Sequence, residues 1–549
     1  MQAPRTTASL ALCVLLSTAA CTSGPGTSAA PRPHDLTTTT PAASGHLDNV
    51  TWNLPMGEPT TLDPAKAGDY SPSTVESNLC DPLLRMKADY TLAPGLATAW
   101  RWPDATTLVL ELRTGVTFWN GHPMTAEDVV AGLLRQGDPA TQSVNAVSLA
   151  QVDSITATGL HQVTVRFKNP DQLFLTALAG GFGAVSEAAA LKEAGPAYGT
   201  AKGGLMCTGP FKLGNWKQGD SITVERNAGY WDTALVPKAD QVTFTFITDG
   251  NTLTGALLSG QVDGSYEIST ATARALAPSA AGTVYYGPST QSNFLTPTGP
   301  GSALADPAIA RALSLVLDRD ALVKNVYDGA AEKLRTIVPP PVWQNGPAAA
   351  TFAKGYDALP AVPAADLAKA GELVARAGTK QRTITIATAA GDQQSLQTLT
   401  FLQAGAKQIS LEVVIKQLQP TEMSGLFYDP GLRAGLDAVI VLGYVQLPDP
   451  VTYVEQLTAP ASLFNWMNYR NDKVTGLLAQ ARATLDPNAA ADLFTQAQAL
   501  YAQDLPVVPI ANPHERMFLN KRLSGAPASF AYINMPWAAY LGGTGKDAS

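Results

Sequence analysis

The sequence predicts a large mixed α/β protein folded as two or three lobes, and three observations carry that expectation. At 549 residues with 45% hydrophobic content, the chain is long enough to bury more than one large core. The stretch from Thr107 to Arg135 reads as strand, turn and helix. Apolar and polar residues interleave up to Arg113, Gly115 breaks the run, and Asn120, Gly121 and Pro123 build a turn before the helix. Farther on, DLAKAGELVARAG, RTITIAT, SLQTLTFLQAGAKQI and LEVVIKQL alternate helix and strand, the order expected of a mixed α/β lobe.

Composition narrows the function classes. A net charge of -8, a pI near 5.2 and no long Lys/Arg run argue against nucleic acid as a partner. No internal apolar run approaches the roughly 20 residues needed to span a bilayer, so any membrane attachment falls to the N-terminus. There Arg5, the apolar ALCVLL and TAA before Cys21 read as a secretory signal, residues 1–20. Ala19 and Ala20 before Cys21 resemble a bacterial lipoprotein box, which implies acylation of Cys21. Thr18 stands where that box prefers Leu, and simple signal cleavage is the other reading. Residues 21–46 are Thr, Ser, Pro, Ala and Gly with almost no apolar bulk, which predicts a flexible tether ahead of a folded body starting near Leu47. Cys13 leaves with the signal, so Cys80 and Cys207 remain. An exported compartment permits a disulfide between them, and two buried free thiols are the alternative.

The helix after the Asn120 turn starts at Thr125, with Asp128 at capping-box spacing and Glu127 where the helix dipole favours a negative charge. Capping accounts for both acids without any acid/base role. The whole run, TLVLELRTGVTFWNGHPMTAEDVVAGLLR, resembles a signature of the family 5 extracytoplasmic solute-binding proteins of ABC importers, the dipeptide, oligopeptide and nickel type. Other stretches agree in order. LAPGLATAW follows an LDP turn at Leu62 to Pro64, and TGPFKLGNWKQGDSITVERNAGYWD describes a β-hairpin through Phe211, Leu213, Trp216, a turn at Gly219 and Asp220, then Ile222 and Val224. Cys207 replaces a glycine of the family pattern there, and Tyr230 and Trp231 are either core or a stacking surface for a ligand. QVTFTFITDGNTLTGALLSGQVDG predicts a strand and helix. DPAIARALSLVLDRDALVKNVYDG predicts a helix capped by Asp306, with Pro307 first and Ala310, Leu313, Val316 and Leu317 buried. Residues 338–365 read as a loop. LDAVIVLGYV with LPDPVTY, and LFTQAQALYAQDLPVVPI, complete a resemblance that runs from about residue 48 to 540.

The resemblance implies a periplasmic binding protein-like class II fold: two large mixed α/β lobes joined by a hinge, with an extra subdomain on the first. The implied division is 47–82 and 201–304 for lobe I, 83–200 for the subdomain, 305–504 for lobe II, and 505–549 for a return to lobe I. Family topology also favours the Cys80–Cys207 bridge. The implied function is capture of a peptide or peptide-like small solute outside the cytoplasmic membrane and its delivery to ABC permease and ATPase subunits, by a monomer anchored through its N-terminal lipid. An envelope sensor with the same fold is the rival.

No enzyme motif is present. His34, His46, His122, His161 and His514 are scattered without metal-ligand spacing, no GxSxG elbow occurs, and GGTGKD at 542–547 lacks the first glycine of a phosphate loop. His122 reads as a surface turn residue. Catalytic residues, metal and cofactor are therefore not expected. For the solute, peptide-binding members carry an aspartate for the peptide amine in the segment matching GYVQLPDP, residues 443–450. Here Tyr444 takes a tryptophan position, Gln446 and Leu447 stand where the aspartate would be, and Asp449 aligns with a later acid whose other role is helix capping. Arg433 is the nearest basic candidate for a ligand carboxylate. Glu58, Pro59 and Thr60 precede the LDP turn and either line the cleft or face solvent, Glu58 being a substitute amine anchor if buried. These substitutions imply a solute less charged than a free short peptide.

Overall fold

The structure, a computed structural model, describes residues 34–460, 462 and 464–545; the predicted signal, Cys21 and the first part of the predicted tether lie outside these residues. Leu47–Asn53 buries Val50 and Trp52 and lies at the centre of a seven-stranded sheet. It runs parallel to Ala239–Thr245 on one side and to Gly264–Ser265 on the other. The hairpin Phe211–Lys217 and Ser221–Arg226 forms one edge, its turn made by Gly219 at φ 76°. Gly282–Gly287 forms the other edge, against Glu515–Asn520. Trp52 packs 4.4 Å from Trp537, and this apolar layer is the core of lobe I.

A second sheet of six strands runs Ala331–Lys333, Val508–Pro513, Gln291–Pro297, Ala438–Tyr444, Thr383–Ala389, Glu412–Leu418. The helix Pro307–Val316, capped by Asp306 with Pro307 at its start, packs Ile309, Leu313 and Val316 onto it. A third, four-stranded antiparallel sheet holds Ala97–Asp104, Thr107–Leu112, Gln162–Phe167 and Val152–Gly159. The helix Ala126–Arg135 carries the Thr125–Asp128 capping box, in which both Thr125 N and Thr125 Oγ1 donate to Asp128 Oδ2 at 2.9 Å. Glu127 is exposed in the first turn of that helix.

Several expectations are corrected. The crossing between lobes falls at residues 288–290, not at 304, because Gln291–Pro297 pairs along its length with Ala438–Tyr444 of the second sheet. The return strand Val508–Pro513 likewise stays in the second sheet, and the chain re-enters the first only at Glu515. Residues 338–365 are not all loop: Ala349–Asp357 is a helix whose Phe352 packs 5.7 Å from Phe494. Residues 34–46 are a strap held to the body. Thr40 donates through N and Oγ1 to Ala526 O, Gly45 N donates to Gly543 O, and the His34 ring stacks 3.7 Å from Tyr286. The backbone groups of a polar segment must find partners, and here the edges of the body supply them.

Cys80 and Cys207 are joined by a disulfide that closes 127 residues of chain and lies wholly within the lobe I core. Such a link restricts the unfolded chain more than the folded one. Cys80→Ser with Cys207→Ser therefore lowers the unfolding free energy by about 2–4 kcal/mol, read as an earlier denaturant midpoint; an unchanged midpoint contradicts this.

Candidate functional site

Two connections link the large sheets, residues 288–290 and His514. The seam where the two lobes face each other, the cleft of this fold, is bridged by direct contacts. From lobe II, Tyr444 at the end of its strand donates its hydroxyl to Gly68 O at 2.9 Å, and its ring lies 4.9 Å from Tyr70 and 5.3 Å from Phe530 of lobe I. Gln446 accepts from Asn534 Nδ2 through its backbone carbonyl at 2.6 Å. Arg482 of lobe II pairs with Asp171 of the subdomain at 3.1 Å and with Glu455 at 2.5 Å.

The structure thus brings Tyr444 and Gln446 to the cleft. It does not bring Arg433 there. That residue precedes the opposite end of the Ala438–Tyr444 strand, with its guanidinium 4.5 Å over Trp466, in a groove shared with Arg382 and Asp437. Glu58 is corrected as an amine anchor: Oε1 accepts from Trp216 Nε1 at 2.7 Å and Oε2 from Gly219 N at 2.9 Å, so both oxygens fasten the hairpin. Pro59 is buried beside it and Thr60 is exposed. Asp449 is buried and caps the helix Pro450–Thr458 by accepting from Val451 N and Thr452 N. Tyr230 is buried and Trp231 is half-buried against the apolar cluster of the subdomain; both donate to Asp81. His122 is exposed with Nδ1 2.6 Å from Glu187 Oε1.

Residues that sequence reasoning did not single out build the floor of the cleft. Asp69 caps the short helix Tyr70–Glu76, which carries Tyr70 and Ser71 to a small pocket lined also by Asn53, Tyr266, Glu267 and Tyr532. Tyr266 and Tyr532 stack at 3.7 Å. Glu267 sits in the left-handed region at φ 54°, its N donating to Glu515 Oε1 at 2.9 Å, and its Oε2 accepts from Gln291 Nε2 at 3.0 Å. Burial, followed by the neighbouring Glu267 carboxylate, pushes the Glu515 carboxyl well above its usual range. Nothing in the local sequence marks Glu267, because its place depends on a residue 248 positions away. Among the described residues, one group of three metal-type donors lies close together, His46, Asp48 and Asp240; all are exposed and lie at the end of the lobe I sheet away from this pocket.

Comparison with known proteins gives a consistent result. The family model described as "Bacterial extracellular solute-binding proteins, family 5 Middle" matches residues 91–465. The glutathione-binding protein GsiB of Escherichia coli (strain K12) is 26% identical over 458 residues, covering 82% of this chain and 86% of that protein. Among solved structures, the chain is similar to the periplasmic binding protein DppA of Helicobacter pylori in complex with the peptide STSA, with a TM-score of 0.78, 21% identity, and coverage of 91% and 99%. It is also similar to NikA of Staphylococcus aureus in complex with Ni(L-His)2, at a TM-score of 0.74, 20% identity, and coverage of 88% and 98%. At these identities the solved structures speak to the fold.

The helix that presents Tyr70 and Ser71 also carries Glu76, whose buried carboxyl is pushed up to about 8, first by desolvation and then by Asp63. The folded chain then holds a proton that the unfolded chain releases above about 4.5. This contribution to stability is present at low pH and is lost as pH rises from about 4.5 to about 8. Glu76→Gln flattens the fall in unfolding free energy across that window by up to about 1.4 kcal/mol per pH unit. Thermal unfolding at a series of pH values checks it, and parallel wild-type and variant curves count against it.

Proposed function

Because the chain belongs to the bacterial extracellular solute-binding proteins of family 5, the solute-binding proteins of ABC importers, we propose that it captures a peptide or peptide-like small solute between its lobes and delivers it by lobe closure. The observation that carries this reading is the cleft itself. Two independently cored lobes are joined by two connections, and between them lie aromatic rings with a few polar groups, the composition of a small-molecule site. The glutathione-binding relative and the peptide complex of DppA supply the solute class. Tyr444 and Gln446, from the gate after the second-lobe strand, are the lobe II residues that meet the solute or the opposite lobe as closure occurs.

A solute shifts the open and closed populations only by its extra affinity for the closed form. The contacts now made directly between lobes at Tyr444 and Gln446 are few, so a solute that adds contacts to both lobes can dominate the balance. Export and acylation at Cys21 would hold the protein at the outer face of the membrane, within reach of permease and ATPase subunits.

Gentle purification followed by native mass spectrometry, with thermal shift against short peptides and glutathione, tests the proposal. A carried mass of peptide-like composition, or an unfolding temperature that rises with peptide concentration as linkage requires, is the expected result. Binding confined to sugars or to nickel complexes, with no response to any peptide, overturns the solute class.

A further inference from the structure

The gate segment offers no carboxylate for an amine: Gln446 and Leu447 occupy the place, Asp449 caps a helix, and Glu58 fastens a hairpin. A carboxylate nevertheless lines the cleft floor from the other lobe. Building on the solute-binding reading above, we infer that Glu267, backed by Glu515 in a box of Tyr70, Tyr266 and Tyr532, is the anchor for an ammonium group of the solute.

Several observations meet here. Glu267 and Glu515 are neighbouring acids joined through the Glu267 amide, and neither forms an ion pair among the described residues. Glu267 Oε1 and Glu515 Oε2 are shielded from solvent and accept no N–H or hydroxyl donor among the described residues; the two carboxyl groups face each other. Arg516, next to Glu515 in the chain, directs its donors elsewhere: Nε to Ile268 O at 2.8 Å, one terminal nitrogen to His514 O at 3.3 Å, and the other to Gln394 Oε1 at 3.3 Å. Burial, followed by the neighbouring Glu267 carboxylate, holds the Glu515 carboxyl well above its usual range. A buried charge needs a partner or it stays costly.

Independent of the acids, Ser71 is 95% buried (5% exposed), lines the same pocket, and has an Oγ without a partner among the described residues. It adds an acceptor on a different element. The pocket admits about one water-sized group, which suits a primary ammonium and excludes a whole solute. Tyrosine rings favour a cation over a neutral group of that size. The left-handed backbone at Glu267, uncommon for a residue with a side chain, is the kind of local strain kept where a side chain must be aimed. An ammonium placed here donates to Glu267 Oε1 and Ser71 Oγ, so the solute carries one cationic group even though the gate has no carboxylate to receive it.

The test uses the purified chain, Glu267→Gln and Ser71→Ala, with n-butylammonium, trialanine, glutathione and the N-acetyl forms of the last two, read by calorimetry and thermal shift. The expected result is binding of n-butylammonium and of the free-amine peptides to wild type, loss of roughly thirtyfold or more on N-acetylation, and a similar loss for the free amines in Glu267→Gln. The acetylation comparison is made on wild type and needs no variant to fold. Equal binding of free and acetylated peptides overturns the anchor and leaves the peptide reading standing. Binding of n-butylammonium that Glu267→Gln abolishes, with no peptide bound, keeps the anchor and removes the peptide reading. No response of wild type to any ammonium-bearing probe overturns the anchor.

Discussion

The side chain of Asn512 ties together the two places where the chain passes from one lobe to the other. Its Nδ2 donates to Ser289 O at 2.9 Å and to Gln291 O at 2.6 Å, and all three residues are buried. Each connection on its own would leave its flanking strands free to shift register. Joined by one amide, the crossings keep a common register, and what they carry is placed with them: Gln291 toward Glu267 on one side, Glu515 toward the Glu267 amide on the other. With only two connections, any rotation of one lobe against the other would have to be absorbed at these few residues.

Contacts elsewhere between the lobes mix apolar and polar groups. Each lobe has its own layer of buried aliphatic and aromatic residues, and across the seam the Tyr444 ring meets Tyr70 and Phe530, Leu173 of the subdomain sits among lobe II residues, and Leu447 packs against the subdomain. The polar links, a tyrosine hydroxyl, an asparagine amide and the Arg482–Asp171 pair, are of the kind that exchange for water more cheaply than a buried core unfolds. Arg482 is the most committed of them, because Gln172 N also donates to its carbonyl at 3.0 Å. The subdomain therefore latches lobe II at this outer edge, while Tyr444 and Gln446 join the lobes at the floor.

Much of the fold was legible because long periodic segments carry their own signal. The hairpin at 211–226, the capped helix at Pro307 and the Thr125–Asp128 box all follow from local chemistry. The crossing at 288–290 was not legible: every residue of Gln291–Pro297 is buried, and a continuously buried strand reads the same whichever sheet receives it. The strap at 34–46 was missed for the opposite reason, since its polar composition says nothing of the free backbone groups on the body that pair with it. The helix Ala349–Asp357 was hidden in an Ala- and Pro-rich stretch whose aromatic face shows only against Phe494.

The site follows the same division between local and distant causes. Acids that the sequence made conspicuous turn out to serve the backbone: Asp128 binds its own helix start and Ala188 N, Asp449 caps its helix, and Glu58 receives a hairpin turn. A carboxylate that accepts two nearby donors is held in place and has little capacity left for a solute. Glu267 is inconspicuous in sequence and differs physically, since its amide is taken by another acid and, among the described residues, Gln291 is the one N–H donor to its side chain. The distinction that matters for function is thus how many protein donors each carboxylate already satisfies. That quantity depends on the fold, because Gln291, which donates to Glu267, sits at one chain crossing, and Glu515, which accepts the Glu267 amide, sits at the other.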